Sequence, residues 1–405
     1  VPYLALILFI LIVLAIKFYV VWGWGHVFPN QSKRARLVYG ILSVATFALG
    51  VGTIIGLIRT NNTDMGLAAN LAVAVMISFL ICELLLCILF LFSDLSTKGV
   101  GAFGYGKNQV KSRRKFLKTG AALLTGIPFL GFMRGITFGK YDFTIRRVEV
   151  SFSDLPSSFD GFKLVQFSDF HSGSFDNISQ VEKGIKKMQD EQADIILFTG
   201  DLVNEFEDEI LPYKKMLTDL NGSGGKYAVL GNHDYPFHGE RFRDDEHGRS
   251  NLEAIKQHHS DMGFNLLLNS HEIIERSGER IIIGGCENWG TRFGKIGDVE
   301  KTIEGIDESD FVLLMSHDPT HWDERIKGYS KKIHLTLSGH THGFQMGIEI
   351  PWLKWSPSQY IYSKWAGLYE EDNQYLYVNR GFGWLGFAGR VGIPPEITVI
   401  TLRRA

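Results

Sequence analysis

The stretch Lys226-Tyr227-Ala228-Val229-Leu230-Gly231-Asn232-His233-Asp234 drives an apolar, β-type run into a glycine, then into three polar side chains that can bind metal or move protons. A buried strand that stops at a glycine lets the next side chains fan out at the sheet edge. In open α/β sheets that carboxyl-end rim is where ligands bind. Four other stretches share the build. Residues 163–171 end in Asp169 and His171, which lie two apart and so on one side of extended backbone. Residues 195–201 end in Asp201, 311–319 carry His317, and 335–342 end in His340 and His342.

The remaining texture from residue 141 onward fits strands and helices around these ends. Residues 143–152 alternate as a strand with Ile145, Val148 and Val150 apolar. Residues 178–189 read as a helix with Ile178, Val181, Ile185 and Met188 on one face and Asp176 or Asn177 as cap. A helical pattern around 212–220 precedes the opening stretch. The polar segment 235–250 reads as a surface loop over the site, and 251–262 as a further helix. Residues 273–275 and 280–286 read as strands of a second layer, with 374–378 and 396–401 as the last two.

At 405 residues, two regions are expected. Residues 1–140 hold 14 Lys and Arg against three acids, a net +11, and the remainder holds 28 against 41, a net −13. The acidic second part argues against nucleic acid as a partner. The three cysteines, Cys82, Cys87 and Cys286, build neither a disulfide framework nor a Cys-x-x-Cys zinc site. In the basic first part, 3–24, 37–58 and 67–92 are each long enough to span a membrane, which takes roughly 20 residues. Lys17 either snorkels or faces a neighbouring helix, and Glu83 reads as a contact inside the bundle. Lys33, Arg34 and Arg36, and the basic run 98–118, place the loops 26–36 and 93–118 in the cytoplasm and the N-terminus outside. Residues 112–118, Ser-Arg-Arg-Lys-Phe-Leu-Lys, resemble a twin-arginine export signal ahead of the apolar segment 119–133. The other reading is a cytoplasmic basic loop before a short fourth helix. Either sends the following domain outside, whereas a segment 119–133 lying in the interface would keep it in the cytoplasm.

Collected, the rim groups are Asp169, His171, Asp201, Asn232, His317, His340 and His342. A nitrogen-and-oxygen set without thiolate suits Mn, Fe or Zn. Seven ligands exceed one tetrahedral ion and suit two divalent metal ions sharing a carboxylate, with Asp201 the natural bridge. Such a pair clamps the attacking and leaving oxygens of a phosphoryl displacement and supplies hydroxide near neutral pH. His233, beside the set, is expected to stabilise the phosphoryl oxygens or protonate the leaving group. His238, His247, His258, His259 and His271 read as solvated, with His247 the one nearest to touching substrate. His321 and His334 lie near the motifs but off their spacing. Trp352, Trp355, Tyr360, Tyr362 and Trp365 read as core and loop packing, or as a lipid-facing or substrate wall.

In its order Asp-x-His, Gly-Asp, Gly-Asn-His-Asp, a lone His and Gly-His-x-His, the chain resembles the calcineurin-like metallophosphoesterases over residues 164–402. The resemblance implies an α/β class: a four-layer α/β/β/α sandwich, here preceded by an all-helical transmembrane region. It implies one metal held by Asp169, His171, Asp201 and His342, and another by Asp201, Asn232, His317 and His340. His233 matches the family's catalytic histidine, and Asp234 is grouped with it as catalytic. The paired arginines and the endings Val378-Asn-Arg-Gly-Phe-Gly and Pro394-Pro-Glu-Ile resemble a bacterial membrane-anchored branch. Asn204 stands where the family often has an acid that orients the histidine, a place that Glu205 or Asp234 is expected to fill. Phe344 stands where that branch often has glycine.

The expected protein has a membrane region at 1–140, with a fourth helix at 119–133, and a catalytic domain at 141–405. It is a multi-pass protein of the bacterial inner membrane with that domain on the periplasmic face. It hydrolyses phosphomono- or diesters by a metal-bridging hydroxide, and the anchor favours lipid-linked esters as partners. A UDP-2,3-diacylglucosamine-type pyrophosphate hydrolase and a non-catalytic metal-binding scaffold are the alternatives.

Overall fold

The computed structural model describes residues 2–27, 33–60, 66–102, 107–235, 246–291 and 293–405. They form two compact units, Val1–Thr137 with Phe387–Gly389, and Phe138–Gly386 with Arg390–Ala405.

The first unit is a bundle of four long helices, α1 (Pro2–Val27), α2 (Lys33–Thr60), α3 (Leu67–Ala102) and α4 (Lys107–Thr137). Each contains an apolar span of 21 to 31 residues, and in a helix every backbone polar group can be satisfied within the span. The outward surfaces are apolar, as lipid requires: Phe18 and Phe116 are 76% exposed and Leu123 is 71% exposed. Four such helices make this a multi-pass membrane protein. The polar groups point inward. Lys17 does not snorkel; it is buried and pairs with Glu83 at 2.5 Å.

The helices outrun the apolar windows because helical hydrogen bonding does not stop where hydropathy does. Residues 93–118, expected as a loop, are the end of α3 and the start of α4, with 103–106 outside the described residues. The expected short helix at 119–133 is the middle of the 31-residue α4. The paired arginines sit inside that helix, where Arg114 reaches Asp94 at 3.2 Å and Arg113 reaches Ser96 at 3.4 Å. Lys118, fully buried, meets the same Asp94 at 3.0 Å. These residues tie α4 to α3, and nothing supports reading them as an export signal.

The second unit opens on β1 (Thr144–Phe152), β2 (Lys163–Phe167), α5 (Ile178–Asp190), β3 (Ile195–Phe198), α6 (Lys214–Asp219), β4 (Lys226–Ala228), α7 (Glu246–Asp261) and β5 (Asn265–Leu266). It continues with β6 (Ser270–Arg276), β7 (Glu279–Gly285), α8 (Val299–Thr302), β8 (Phe311–Met315) and β9 (Leu335–Ser338). The last elements are β10 (Ile348–Ile350), β11 (Leu353–Trp355), β12 (Gly367–Glu371), β13 (Gln374–Val378) and β14 (Glu396–Arg404). One sheet runs β1-β14-β2-β3-β4-β5 and the other β12-β13-β9-β8-β7-β6, while β10 and β11 form a separate hairpin.

The two sheets face each other across Leu164, Leu197 and Val229 on one side and Ile283, Leu313 and Leu337 on the other. The outer face of the first sheet, with Val165 and Phe198, is covered by Val181, Ile185 and Met188 of α5, Leu217 of α6 and Ile255 of α7. The outer face of the second, with Ile282 and Val312, is covered by Val299 of α8 together with Trp322 and Ile326. This is a four-layer α/β/β/α sandwich, with strands β2, β3 and β4 parallel in one sheet and β8 and β9 parallel in the other. All five chemical stretches therefore leave their sheets at carboxyl ends.

Several local expectations fail. Asn177 caps α5 by accepting from the Gln180 N–H, but Ile178, in the first turn, is 48% exposed and outside the buried face of Val181, Ile185 and Met188. His258 and His259, expected in solvent, lie on the inner side of α7 and are buried. His258 is held by Glu207 at 2.6 Å, and His259 packs between Phe198 and Phe264. His271, half-buried, meets the Thr302 carbonyl at 2.8 Å. His247 is exposed on α7. His238 and most of the expected loop, 236–245, lie outside the described residues.

Candidate metal centre

Three glycines let the strand ends interlock. A Cβ on Gly339 would stand 1.9 Å from Ser168 Oγ and 2.3 Å from Asp169 Oδ2, and one on Gly231 would stand 2.2 Å from Asp201 Oδ1. Gly200, at φ +94°, adopts a conformation that side chains resist. The residues after them are strained as well. Asp169, His171, Asp201, His340 and His342 all have φ between 48° and 70°. Left-handed backbone at non-glycine residues costs on the order of 1 kcal/mol or more each, and it clusters at functional sites.

The strain brings seven side chains to one place. Asp169, His171 and His342 form one group whose ligand atoms lie within 4.8 Å of one another, and Asp201, His317 and His340 form a second. In the first, His342 Nε2 is 3.2 Å from Asp169 Oδ1 and 3.1 Å from His171 Nε2. In the second, His317 Nε2 is 3.1 Å from Asp201 Oδ2, 3.1 Å from Asn232 Oδ1 and 3.2 Å from His340 Nδ1. The groups meet at Asp201, whose Oδ2 is also 3.6 Å from His171 Nε2. Imidazole nitrogens at these distances can share a hydrogen, and the neutral ring nitrogen is also a common metal ligand. The donor set is nitrogen and oxygen without sulfur, which fits first-row divalent ions.

The electrostatics agree. Burial would raise Asp169, but His342 and His317 outweigh it and hold the carboxyl low. Burial would lower His317, but the Asp201 carboxylate outweighs it and raises the imidazole to about 10. The carboxylates thus favour positive charge in the pocket.

His233 is held beside this set. Its Nδ1 is 2.9 Å from the main-chain oxygen of Asn204, and its own N–H donates to Asp201 Oδ1 at 2.8 Å. A carbonyl can only accept, so Nδ1 carries the hydrogen and Nε2 is the ring atom that can take up or release a proton. Burial, only partly offset by Asp201, holds its pKa below the usual histidine range. The orienting group on Nδ1 is thus a main-chain carbonyl, where a carboxylate of Glu205 or Asp234 was expected. Asp234 is buried, and its carboxylate accepts from the N–H groups of Gly231, Asp201 and Leu202 at 2.8 to 2.9 Å. It pins two site loops together, which is what the structure shows of Asp234, the residue expected beside His233 as catalytic. The side chain of Asn204 also steadies a candidate ligand, with its Oδ1 3.1 Å from His171 Nδ1.

Four further residues reach the centre. Tyr362 Oη is 2.9 Å from His340 Nε2, and Asp318 Oδ2 is 3.5 Å from the same atom. Arg390, buried, lies 3.3 Å from His342 Nδ1 while donating to the carbonyls of Arg380 and Gly381. Phe293 stands edge-on to His340 at 5.2 Å between centroids. Asp318 was not singled out in the sequence although it directly follows His317; Arg390 arrives from the far end of the chain with no motif around it. His321 and His334 stay out of the centre: His321 meets Ser316 at 2.8 Å and stacks on Trp289, and His334 accepts from the Val312 N–H.

Comparison with known proteins agrees with this geometry. Residues 162–344 match the family model described as calcineurin-like phosphoesterase, and residues 4–140 match one described as probable calcineurin-like phosphoesterase, transmembrane domain. The chain thus carries a calcineurin-like phosphoesterase domain, with a metal site that supports hydrolase activity, behind an N-terminal membrane domain. The paired arginines fall within the transmembrane match. Among its relatives is the uncharacterized metallophosphoesterase YkuE of Bacillus subtilis, 29% identical over 72% of this chain and 98% of that one. A Danio rerio transmembrane protein with metallophosphoesterase domain is 27% identical over 64% of this chain, which spans 57% of that protein. An uncharacterized metallophosphoesterase of Aquifex aeolicus is 28% identical over 65% of this chain and 93% of that one.

Proposed function

We propose that the domain hydrolyses phosphomono- or diesters at a binuclear centre held by Asp169, His171, Asp201 and His342 on one side and Asp201, Asn232, His317 and His340 on the other. The observation that carries this reading is the single oxygen, Asp201 Oδ2, lying 3.1 Å from His317 and 3.6 Å from His171. Two Mn, Fe or Zn ions bound there would supply hydroxide near neutral pH and neutralise the phosphoryl oxygens. The chain's own residues do the rest. Asp201 fixes the spacing between the two groups, and Asn204 and Tyr362 hold the His171 and His340 rings in place. His233 holds a proton on Nδ1 against Asn204 and, when Nε2 is protonated, donates that proton to the leaving oxygen as it departs.

The basic clusters at the start of α2 and across the end of α3 and the start of α4 support a cytoplasmic position for those ends. With four spans, the catalytic domain then follows on the outer face, at residues 138 onward. Lipid-linked phosphoesters are the substrate class that such an anchor favours. The test is full-length protein in detergent with Mn²⁺, assayed on chromogenic mono- and diesters with and without chelator. Chelator-sensitive turnover of at least one ester is expected. Inert protein that nonetheless binds two ions would contradict the reading.

A further inference from the structure

The β10–β11 hairpin is built inside out. Its register sets Ile348 against Trp355, Glu349 against Lys354 and Ile350 against Leu353. Alternation puts four apolar residues on one face and the charged pair on the other. An antiparallel sheet on a soluble domain turns its apolar face to the core. Here the charged face is inward. Glu349 accepts from Arg146 at 2.6 Å and from Arg380 at 2.7 Å, and Lys354 donates to the Ala366 carbonyl and lies over the Trp365 ring. The apolar face is outward: Ile348, Ile350, Leu353 and Trp355 are 38 to 45% exposed, and Trp352 in the turn is 84% exposed.

The patch is continuous in sequence with the metal centre at both ends. Phe344, two residues past His342, is 48% exposed. Tyr362, just past the exposed Tyr360 and Ile361, reaches His340. Contiguous exposed apolar surface of this kind marks a binding face.

Three features choose what covers it. Only residues 138–143, which include the short helical turn Gly139–Tyr141, separate α4 from β1, so the domain is tethered to its membrane segment by at most about 20 Å of chain, and β1 at the end of that tether carries Arg146, the partner of the hairpin's Glu349. Trp and Tyr are the residues that settle at the boundary between headgroups and acyl chains, with Ile and Leu below them. The only acid in 344–362 is Glu349, and it faces inward, so no carboxylate opposes a lipid surface.

We propose that the outward face of this hairpin docks on the lipid bilayer, with the Trp352 turn entering the boundary between headgroups and acyl chains. The docking stands on the hairpin alone. Its consequence, that phosphoesters in the headgroup layer are presented to the centre, rests on the phosphoesterase reading above.

The test is a nitroxide label on Trp352→Cys in the full chain, reconstituted in nanodiscs of phosphatidylethanolamine and phosphatidylglycerol. The native Cys82, Cys87 and Cys286 are buried, so the label is selective. Asp372→Cys, in the exposed turn between β12 and β13, is the control. The ratio of collisions with oxygen to collisions with a water-soluble nickel chelate is expected to be about fivefold or more higher at 352 than at 372. Adding Ile350→Ser and Leu353→Ser is expected to return it toward the control value. Equal nickel access at the two positions would overturn the proposal, and so would dipolar broadening between labels, which would mean that a second copy covers the face. Neither readout depends on turnover, so inert protein counts against the phosphoesterase reading and not against the docking.

Discussion

Charge is buried twice in this molecule, and on opposite terms. In the membrane bundle, Glu83 Oε2 accepts from Lys17 at 2.5 Å, Oε1 accepts from Tyr39 at 3.0 Å and from Ser43, and Lys17 also donates to Ser43. That set is neutral and closed. At the strand ends, the carboxylates of Asp169 and Asp201 face imidazoles whose nitrogens stand 3.1 to 3.2 Å apart, a donor set that can hold cations. The first cluster holds helices together; the second is shaped to be filled. Buried ion pairs that complete themselves fix a structure, whereas those left short of charge make a site.

Removing one member of each set sharpens or breaks this contrast. Asp201→Ala deletes the oxygen common to both groups. Metal analysis should find both ions lost and turnover down on the order of 10³-fold or more. His233→Ala leaves the ligand set intact, so it should keep its metal while turnover falls about 10²- to 10⁴-fold. In the bundle, Glu83→Ala strands a buried ammonium and should cost roughly 3–5 kcal/mol in reversible unfolding. The double change Lys17→Met with Glu83→Leu should recover most of that, because the closed pair serves structure only. Wild-type-like stability in Glu83→Ala alone would break the contrast.

The smallest effect comes from a third kind of buried polar group. Both ring nitrogens of His259 are buried without a hydrogen-bond partner among the described residues. His259→Phe should therefore gain about 1 kcal/mol at pH 7. Burial lowers this histidine to about 3, against about 6.5 when unfolded. The unfolded state binds the extra proton between those values, so wild-type stability is full above about pH 6.5 and is lost as pH falls toward about 3. The variant should lose that part of the acid slope, up to about 1.4 kcal/mol per pH unit, in denaturation at a series of pH values.

Much of this was legible in the residues. Apolar runs that stop in a few polar residues placed all seven candidate ligands at strand ends, because that pattern is local, and in three of the five stretches a glycine answers a close approach. The membrane spans were legible as apolar runs, but not their ends, since Arg113 and Arg114 continue a helix that hydropathy alone breaks off. Depth along a helix was also hidden: α7 is polar on average, and only its packing on Phe198 and Phe264 shows His259 to be inside. The hairpin's alternation was present in Ile348-Glu349-Ile350, yet which face is outward depends on Arg146 and Arg380, distant in sequence. Arg390 and Tyr362 reach the centre through the tertiary fold, with no spacing that announces them.

The central claim is that Asp201 joins two ions. The direct measurement is metal content with electron paramagnetic resonance on the full chain loaded with Mn²⁺. Two ions per chain with an exchange-coupled signal, both lost in Asp201→Ala, is the expected result. One ion per chain with an isolated six-line signal, or two ions kept by Asp201→Ala, would contradict it.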